Sequence, residues 1–368
     1  NSAKAYGIDV IGGFGIFGGS SSHGDVMVDN SGAVTVVATA AAAEAFFLYC
    51  AYAQGIRATN GHGAVAVANS GSVSATATAV AENSARAYGI AAYSRSYDSY
   101  GVLLVDNSGS VSATATAEGF VATVEGIRAG VSNGALTVHN SGAVSAEAVA
   151  DGLATANGIN AFCGYSCYGD VVVDNSDGVS ATAYSAVDAF ADGIQVVNRH
   201  GNATVDNSGT VNAAAVAQVS AEANGIYASN TSGAVTLDNS GAVRTAAVAA
   251  AIARATGMYV SSSGDVTVNN GGAVSATAKA TAPATAYFFP LAYVDGIHAV
   301  VQGGDVTVAN SGTVSASTVA ENFVWANGIY AFRSGYHSSG DVTVDNSGAV
   351  SATAEGYNVT INGIHAVN

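Results

Sequence analysis

The chain has 368 residues, and with 10 basic against 26 acidic side chains it carries a formal charge of −16. Only 10% of its residues are charged while 49% are apolar, which excludes a charge-rich disordered tail and argues against a nucleic-acid binder. Lysine occurs only as Lys4 and Lys279, so a cation-driven grip on phosphates or anionic lipid is not expected.

The opening stretch "NSAKAYGI" (Asn1 to Ile8) returns as "NSARAYGI" (Asn83 to Ile90), so the chain starts inside a repeat and, at "NGIHAVN", stops inside one. Solenoids need caps over their exposed strand edges, and neither end resembles one; a piece of a longer array, or a subunit that stacks, is expected. No charge run or Pro-rich linker divides the sequence, so residues 1–368 read as one continuous array.

Two landmarks recur. Gly-Ile begins at Gly7, Gly55, Gly89, Gly126, Gly158, Gly193, Gly225, Gly296, Gly328 and Gly363, with Gly257-Met258 as a variant. Asn-Ser-Gly begins at Asn30, Asn69, Asn107, Asn140, Asn207, Asn239, Asn310 and Asn346, with variants at Asn175 and Asn270. Gly193 to Asn207 is 14 residues and Asn207 to Gly225 is 18, a period of 32. Extra residues fall at two places only: before the "DVTV" segment, as in "YSRSYDSYG" from Tyr93, and after the Ala-rich segment, as in "PATAYFFPLAY" from Pro283. Insertions that spare the rest of a period mark surface loops on a fixed scaffold.

Within the period, apolar and polar residues alternate, which predicts strands. Val342, Val344 and Asn346 share one parity and Thr343 and Asp345 the other; after Gly348, Val350, Ala352 and Ala354 alternate with Ser351 and Thr353. Compared repeat by repeat, the inner positions become columns of Val, of Ala and of Ile. Such columns arise when coils stack with strands in register about 4.8 Å apart. The expected fold is therefore all-β: a right-handed parallel β-helix (β-solenoid) with one coil per 32-residue repeat and roughly 10–11 coils. Two coils per repeat is the alternative. Asn30, Asn69, Asn107, Asn140, Asn175, Asn207, Asn239, Asn270, Asn310 and Asn346 would form a corner whose amides bond along the axis, with the neighbouring Gly turning the chain through a left-handed conformation.

The phrases "GIYA", "GDVTVDNSGAVSATA" and "ANGI" resemble the repeats in passenger regions of bacterial autotransporter-type surface proteins, across essentially the whole chain. The resemblance implies a right-handed parallel β-helix outside a Gram-negative cell, serving in adhesion, aggregation or surface-layer building. The membrane barrel and secretion signal of that family are not in this sequence.

The outward columns carry the groups that could do chemistry. Asp170 with Asp174, and Asp341 with Asp345, are candidate Ca²⁺ ligands, because stacked carboxylates suit a hard cation; the competing reading is a solvated acidic edge that discourages lateral pairing. Asp recurs once per coil instead of clustering, so the paired carboxylates of a polysaccharide lyase or glycosidase are not expected, and neither a catalytic residue nor a cofactor is assigned. Thr arrays such as "SATATA" suggest an ice-binding face, but Glu147, Ala214 and Ala246 break the column. The scattered His lack a metal-ligand spacing; Cys163 and Cys167 are placed for one local disulfide. The inserted segments gather amphipathic aromatics: Tyr93, Tyr97, Tyr100, Tyr165, Tyr168 and Tyr336 in one family, Phe288 and Phe289 in the other. The expected role is a non-enzymatic extracellular fibre or adhesin stalk that associates end to end or continues in the same chain. A glycan- or cell-binding module using the aromatic loops is the alternative; neither membrane insertion nor a nucleic-acid partner is expected.

Overall fold

The computed structural model describes residues 2–12, 24–40, 50–80, 84–95, 101–164, 167–282, 290–335 and 340–368. Among them every regular element is a strand, and the strands form three parallel sheets of eleven, ten and ten members. Each coil contributes one strand to each sheet. In mid-chain these are Asp188–Asn198 in the long sheet, Ala203–Asn207 in the corner sheet and Thr210–Ala217 in the alanine sheet. This is a β-solenoid with one coil per repeat. The two-coil alternative fails because each corner Asn lies in register with another: Asn140 with Asn175, Asn175 with Asn207, Asn207 with Asn239.

In cross-section the interior has two parts. The first half of each long strand points Ala at Ala from the alanine sheet, as Ala189 and Ala191 do beside Ala181, Ala183, Ala213 and Ala215. The second half turns Ile and Val against the corner sheet and the first residues of the alanine sheet, as Ile194 and Val196 do beside Val173 and Val205 of the one and Val211 of the other. Small columns let two walls close to a thin slab; bulky ones fill the wider end.

The Gly of Gly-Ile stands where the two parts meet. Ala191 and Ile194 both point inward with two residues between them, so strict alternation slips by one at Asp192–Gly193. The slip recurs along the sheet, where pairing runs Asp192 to Asn224 and then Ile194 to Ile226. A Cβ on Gly193 would lie 2.6 Å from the carbonyl oxygen of Gly225 and would collide with Val211 Cγ1. Gly is needed there for close approach.

The Asn corner forms as expected, but its Gly does not act through a left-handed conformation. The described glycines with positive φ are Gly63, Gly119 and Gly134, none of them in an Asn-Ser-Gly segment. A Cβ on Gly109, Gly142 or Gly241 would instead strike the carbonyl oxygen of the equivalent Gly one coil earlier. Stacking distance, not turn handedness, selects Gly at this corner.

Candidate ligand-binding face

The corner itself is a closed structural device. Nδ2 of each Asn donates to Oδ1 of the next, from Asn30 to Asn69 at 2.8 Å, through Asn175 to Asn207 at 2.7 Å, and on to Asn310 and Asn346 at 2.6 Å. The other amide hydrogen is used locally, as when Asn207 Nδ2 donates to Gly209 O at 3.2 Å. With the rungs bonded to one another and the side chains from Asn30 to Asn310 buried, the column presents its amides to neighbouring coils and not to a ligand.

A second corner, at the end of each long strand, escaped the sequence reading because its Asn is intermittent. Asn198 Nδ2 donates to Gly169 O of the preceding coil at 3.1 Å and to Asn202 O at 2.8 Å; Asn230 does the same with Gly201 at 2.5 Å and Ala234 at 3.2 Å. Cys163 occupies this column, and its Sγ lies at bonding distance from that of Cys167.

The acidic candidates are spread along the corner sheet. Asp170 Oδ1 accepts the backbone N–H of Asn202 at 2.7 Å, and Asp305 Oδ1 accepts that of Asp341 at 2.8 Å, so the "GD" Asp ties one coil to the next. Asp174 pairs with His139 at 2.8 Å, whereas Asp345 stands in register with Ala309. Among the described residues no group of three His, Cys, Asp or Glu converges as a metal site. Tyr97, Tyr100, Tyr165, Tyr336, Phe288 and Phe289 lie outside the described residues. Tyr168 is 69% exposed and stacks on His200 with centroids 4.9 Å apart. Tyr93 is not a loop residue: it belongs to the strand Ser84–Ser94, in register with Thr59 and Gly130.

That placement joins Tyr93 to a cluster on the outer face of the long sheet. The outward slot after Gly-Ile runs in register through Arg57, Ala91, Arg128, Asn160, Gln195, Tyr227, Tyr259, His298, Tyr330 and His365. At its amino-terminal end, strands Cys50–Asn60, Ser84–Ser94, Val121–Val131 and Leu153–Cys163 border an open cleft of about 490 Å³. Arg57, Arg86, Arg95 and Arg128 line it, with Tyr52, Tyr88, Tyr93 and Phe162 as apolar walls. The Arg128 guanidinium carbon lies 5.4 Å from the Tyr88 ring centroid, 5.6 Å from that of Tyr93 and 5.4 Å from that of Phe162. Its Nη1 donates to the Tyr88 hydroxyl at 3.2 Å, and its Nε is 3.1 Å from Glu125 Oε2. Burial pushes the Glu125 carboxyl up from its ordinary pKa, opposed by the Arg128 charge and by the amides of Asn160 and Asn157. Burial also raises the Tyr52 and Tyr93 hydroxyls, so these phenols stay protonated.

Farther along the same face the slot turns aromatic. Tyr227 and Tyr259 stack with centroids 5.0 Å apart and planes 6° apart, and His298 and Tyr330 continue the row at 5.1 and 4.8 Å. Tyr293 and Trp325 form a second stack at 4.6 Å. Acidic groups join arginine as the neighbours: His298 Nδ1 is 2.7 Å from Asp295 Oδ2, while the Arg254 guanidinium carbon lies 5.4 Å from the Tyr293 ring centroid. Asp192 has its pKa pushed up to about 6 by burial and the nearby Glu222 charge, with the amides of Asn224 and Gln195 opposing.

No protein-family model matches this chain, and neither a curated protein nor a solved structure matches it.

Proposed function

We propose that the protein is a non-enzymatic structural segment of an extracellular bacterial fibre or adhesin stalk, of the autotransporter-like kind that its repeats resemble. One observation carries this reading: the asparagine amides bond in series from Asn30 to Asn346, so neighbouring coils along the axis meet through the same contact. In such an array stability accumulates by nearest-neighbour stacking, which suits a rod of arbitrary length. The low charged fraction and the Cys163–Cys167 pair fit a secreted protein in an oxidising compartment.

The test combines low-dose imaging of the purified material with the mass of its denatured polypeptide. A chain of 36 kDa that assembles into filaments supports end-to-end subunit stacking, and a far heavier chain forming rods supports one long array. A 36 kDa chain that stays monomeric overturns the fibre reading. A second reading, a glycan- or cell-binding module that uses the inserted loops, draws support from the projecting Tyr168; it requires binding that is lost in Tyr168→Ala while the rod persists.

A further inference from the structure

We propose that the arginine and tyrosine cleft on the outer face of the long sheet is a binding site for an acidic oligosaccharide, one bearing carboxylate or sulfate groups on alternate sugars and lying along the solenoid axis. The inference does not depend on the fibre reading, because it concerns one face of four coils. Charge is the first observation. In a chain of net charge −16, four of its ten basic residues converge on this cleft. Arg57 and Arg128 are balanced by Asp9 at 3.5 Å and Glu125 at 3.1 Å, but Arg86 and Arg95 are exposed and have no carboxylate partner among the described residues. Among the described residues the cleft therefore holds positive charge that no carboxylate neutralises.

Preorganisation is the second. Arg128 is held by three ring faces, a phenol oxygen and a buried carboxylate, so its guanidinium is fixed before any ligand arrives. Gly130 keeps a gap open in the wall of the cleft, since a Cβ there would meet the Phe162 ring at 2.5 Å. Planar forks beside tyrosine walls suit a carboxylate or sulfate carried on an otherwise amphipathic sugar.

Spacing is the third. Arg57 and Arg128 occupy the same slot two coils apart, with the small, fully buried Ala91 in register between them. Two coil rises put them roughly 9.5 Å apart, near the length of a disaccharide unit in an extended chain. A nucleic acid places its charges more densely, and the surrounding negative charge of the molecule repels such a polyanion more strongly than a sparsely charged glycan.

The test is calorimetric titration of the folded chain with a hyaluronan hexasaccharide, whose carboxylates fall on alternate sugars. Chondroitin sulfate hexasaccharide, chitohexaose and an oligothymidylate serve as the sulfated, neutral and nucleic-acid comparators. The expected result is binding of the first two, weakening as salt rises, with no heat from chitohexaose; since chondroitin sulfate keeps the alternating carboxylates, tighter binding of it shows that sulfate adds to recognition, and equal binding shows that the carboxylates suffice. The double variant Arg86→Gln/Arg95→Gln should lower the affinity at least about tenfold, the loss of one charge-assisted contact or more, with an unchanged circular-dichroism spectrum and melting temperature. Absence of binding, equal binding of chitohexaose, tighter binding of oligothymidylate, or full affinity in the double variant would each overturn the proposal.

Discussion

Along the strand Asp188–Asn198 and its neighbours in the long sheet, inward residues hardly change from coil to coil, whereas the outward residues change character along the axis. Inside, Ala189, Ala191 and Ile194 meet Ala221, Ala223 and Ile226. Outside, the face passes from four clustered arginines with tyrosine around Arg128 to stacked rings with carboxylates and Arg254 around Tyr259. Inward columns are constrained twice, by the neighbouring coil and by the opposite wall, and both constraints demand one size. Outward columns meet only their axial neighbours, so they are free to carry chemistry. The same strand thus specifies shape with one parity and composes a surface with the other.

The strongest way to break this comparison is to alter an inward position that has no room. In Gly193→Ala the added methyl meets a backbone carbonyl and a Val side chain, neither of which can move without displacing the next coil. Overpacking of this kind costs about 3 kcal/mol, and failure to fold is the extreme outcome. Equilibrium urea unfolding reads the loss; a change within error of zero would mean that the bend does not need its Gly.

Next in size is Asn207→Ala. The substitution leaves Asn175 Nδ2 without its acceptor and Asn239 Oδ1 without its donor, both buried. Unsatisfied buried groups of this type cost about 2–3 kcal/mol together. The same unfolding measurement checks it, and Asn207→Asp should be no better, because a carboxylate supplies no hydrogen to the ladder.

The strands, their parity and the first corner were legible because identical side chains at a fixed period leave one arrangement that buries them all. Asn30 to Asn346 could be read as a ladder without coordinates. The bend could not: Gly-Ile was visible as a landmark, but the slip between Ala191 and Ile194 depends on how two walls of different thickness meet. The cleft was hidden for another reason. Its arginines come from separate coils whose sequence spacing is distorted by insertions, and Tyr93, which in sequence runs straight into an insertion, belongs to the end of a strand. The available signal was the slot after Gly-Ile, where Arg57 and Arg128 recur two repeats apart. The "GD" aspartates were legible as a column but not as acceptors for the next coil's backbone.

Asp192 sharpens the comparison, since it is an outward residue drawn into the wall. Its folded pKa of about 6 lies above the ordinary 3.8, so between those values the folded chain holds a proton that the unfolded chain has lost. Stability is accordingly greatest at or below about pH 4, falls as pH rises through 6, and stays at the lower value above it. Asp192→Asn removes the titration and matches the Asn residues at the adjacent positions, Asn157 and Asn224. The variant should be more stable than the parent by about 1–2 kcal/mol at pH 8 and show a flatter profile from pH 4 to 7, measured by urea midpoints across that range. Equal profiles would mean that the carboxylate is solvated in the folded state.

The smallest effect should come from the residue beside Asn207. Asp206 is exposed in the outward column, and slight burial with the charges of Asp174 and Asp238 raises its pKa. Like charges stacked one coil apart repel, so Asp206→Asn should stabilise the chain by about 0.3 kcal/mol or less at low ionic strength. In about 1 M salt, where the screening length falls to roughly 3 Å, the difference should vanish, while the loss in Asn207→Ala should persist because a buried amide ladder is not screened. Unfolding midpoints of both variants at the two salt concentrations make the comparison within a single pair of adjacent residues. A salt-sensitive Asn207→Ala, or a strongly destabilising Asp206→Asn, would mean that the two parities do not divide shape from surface.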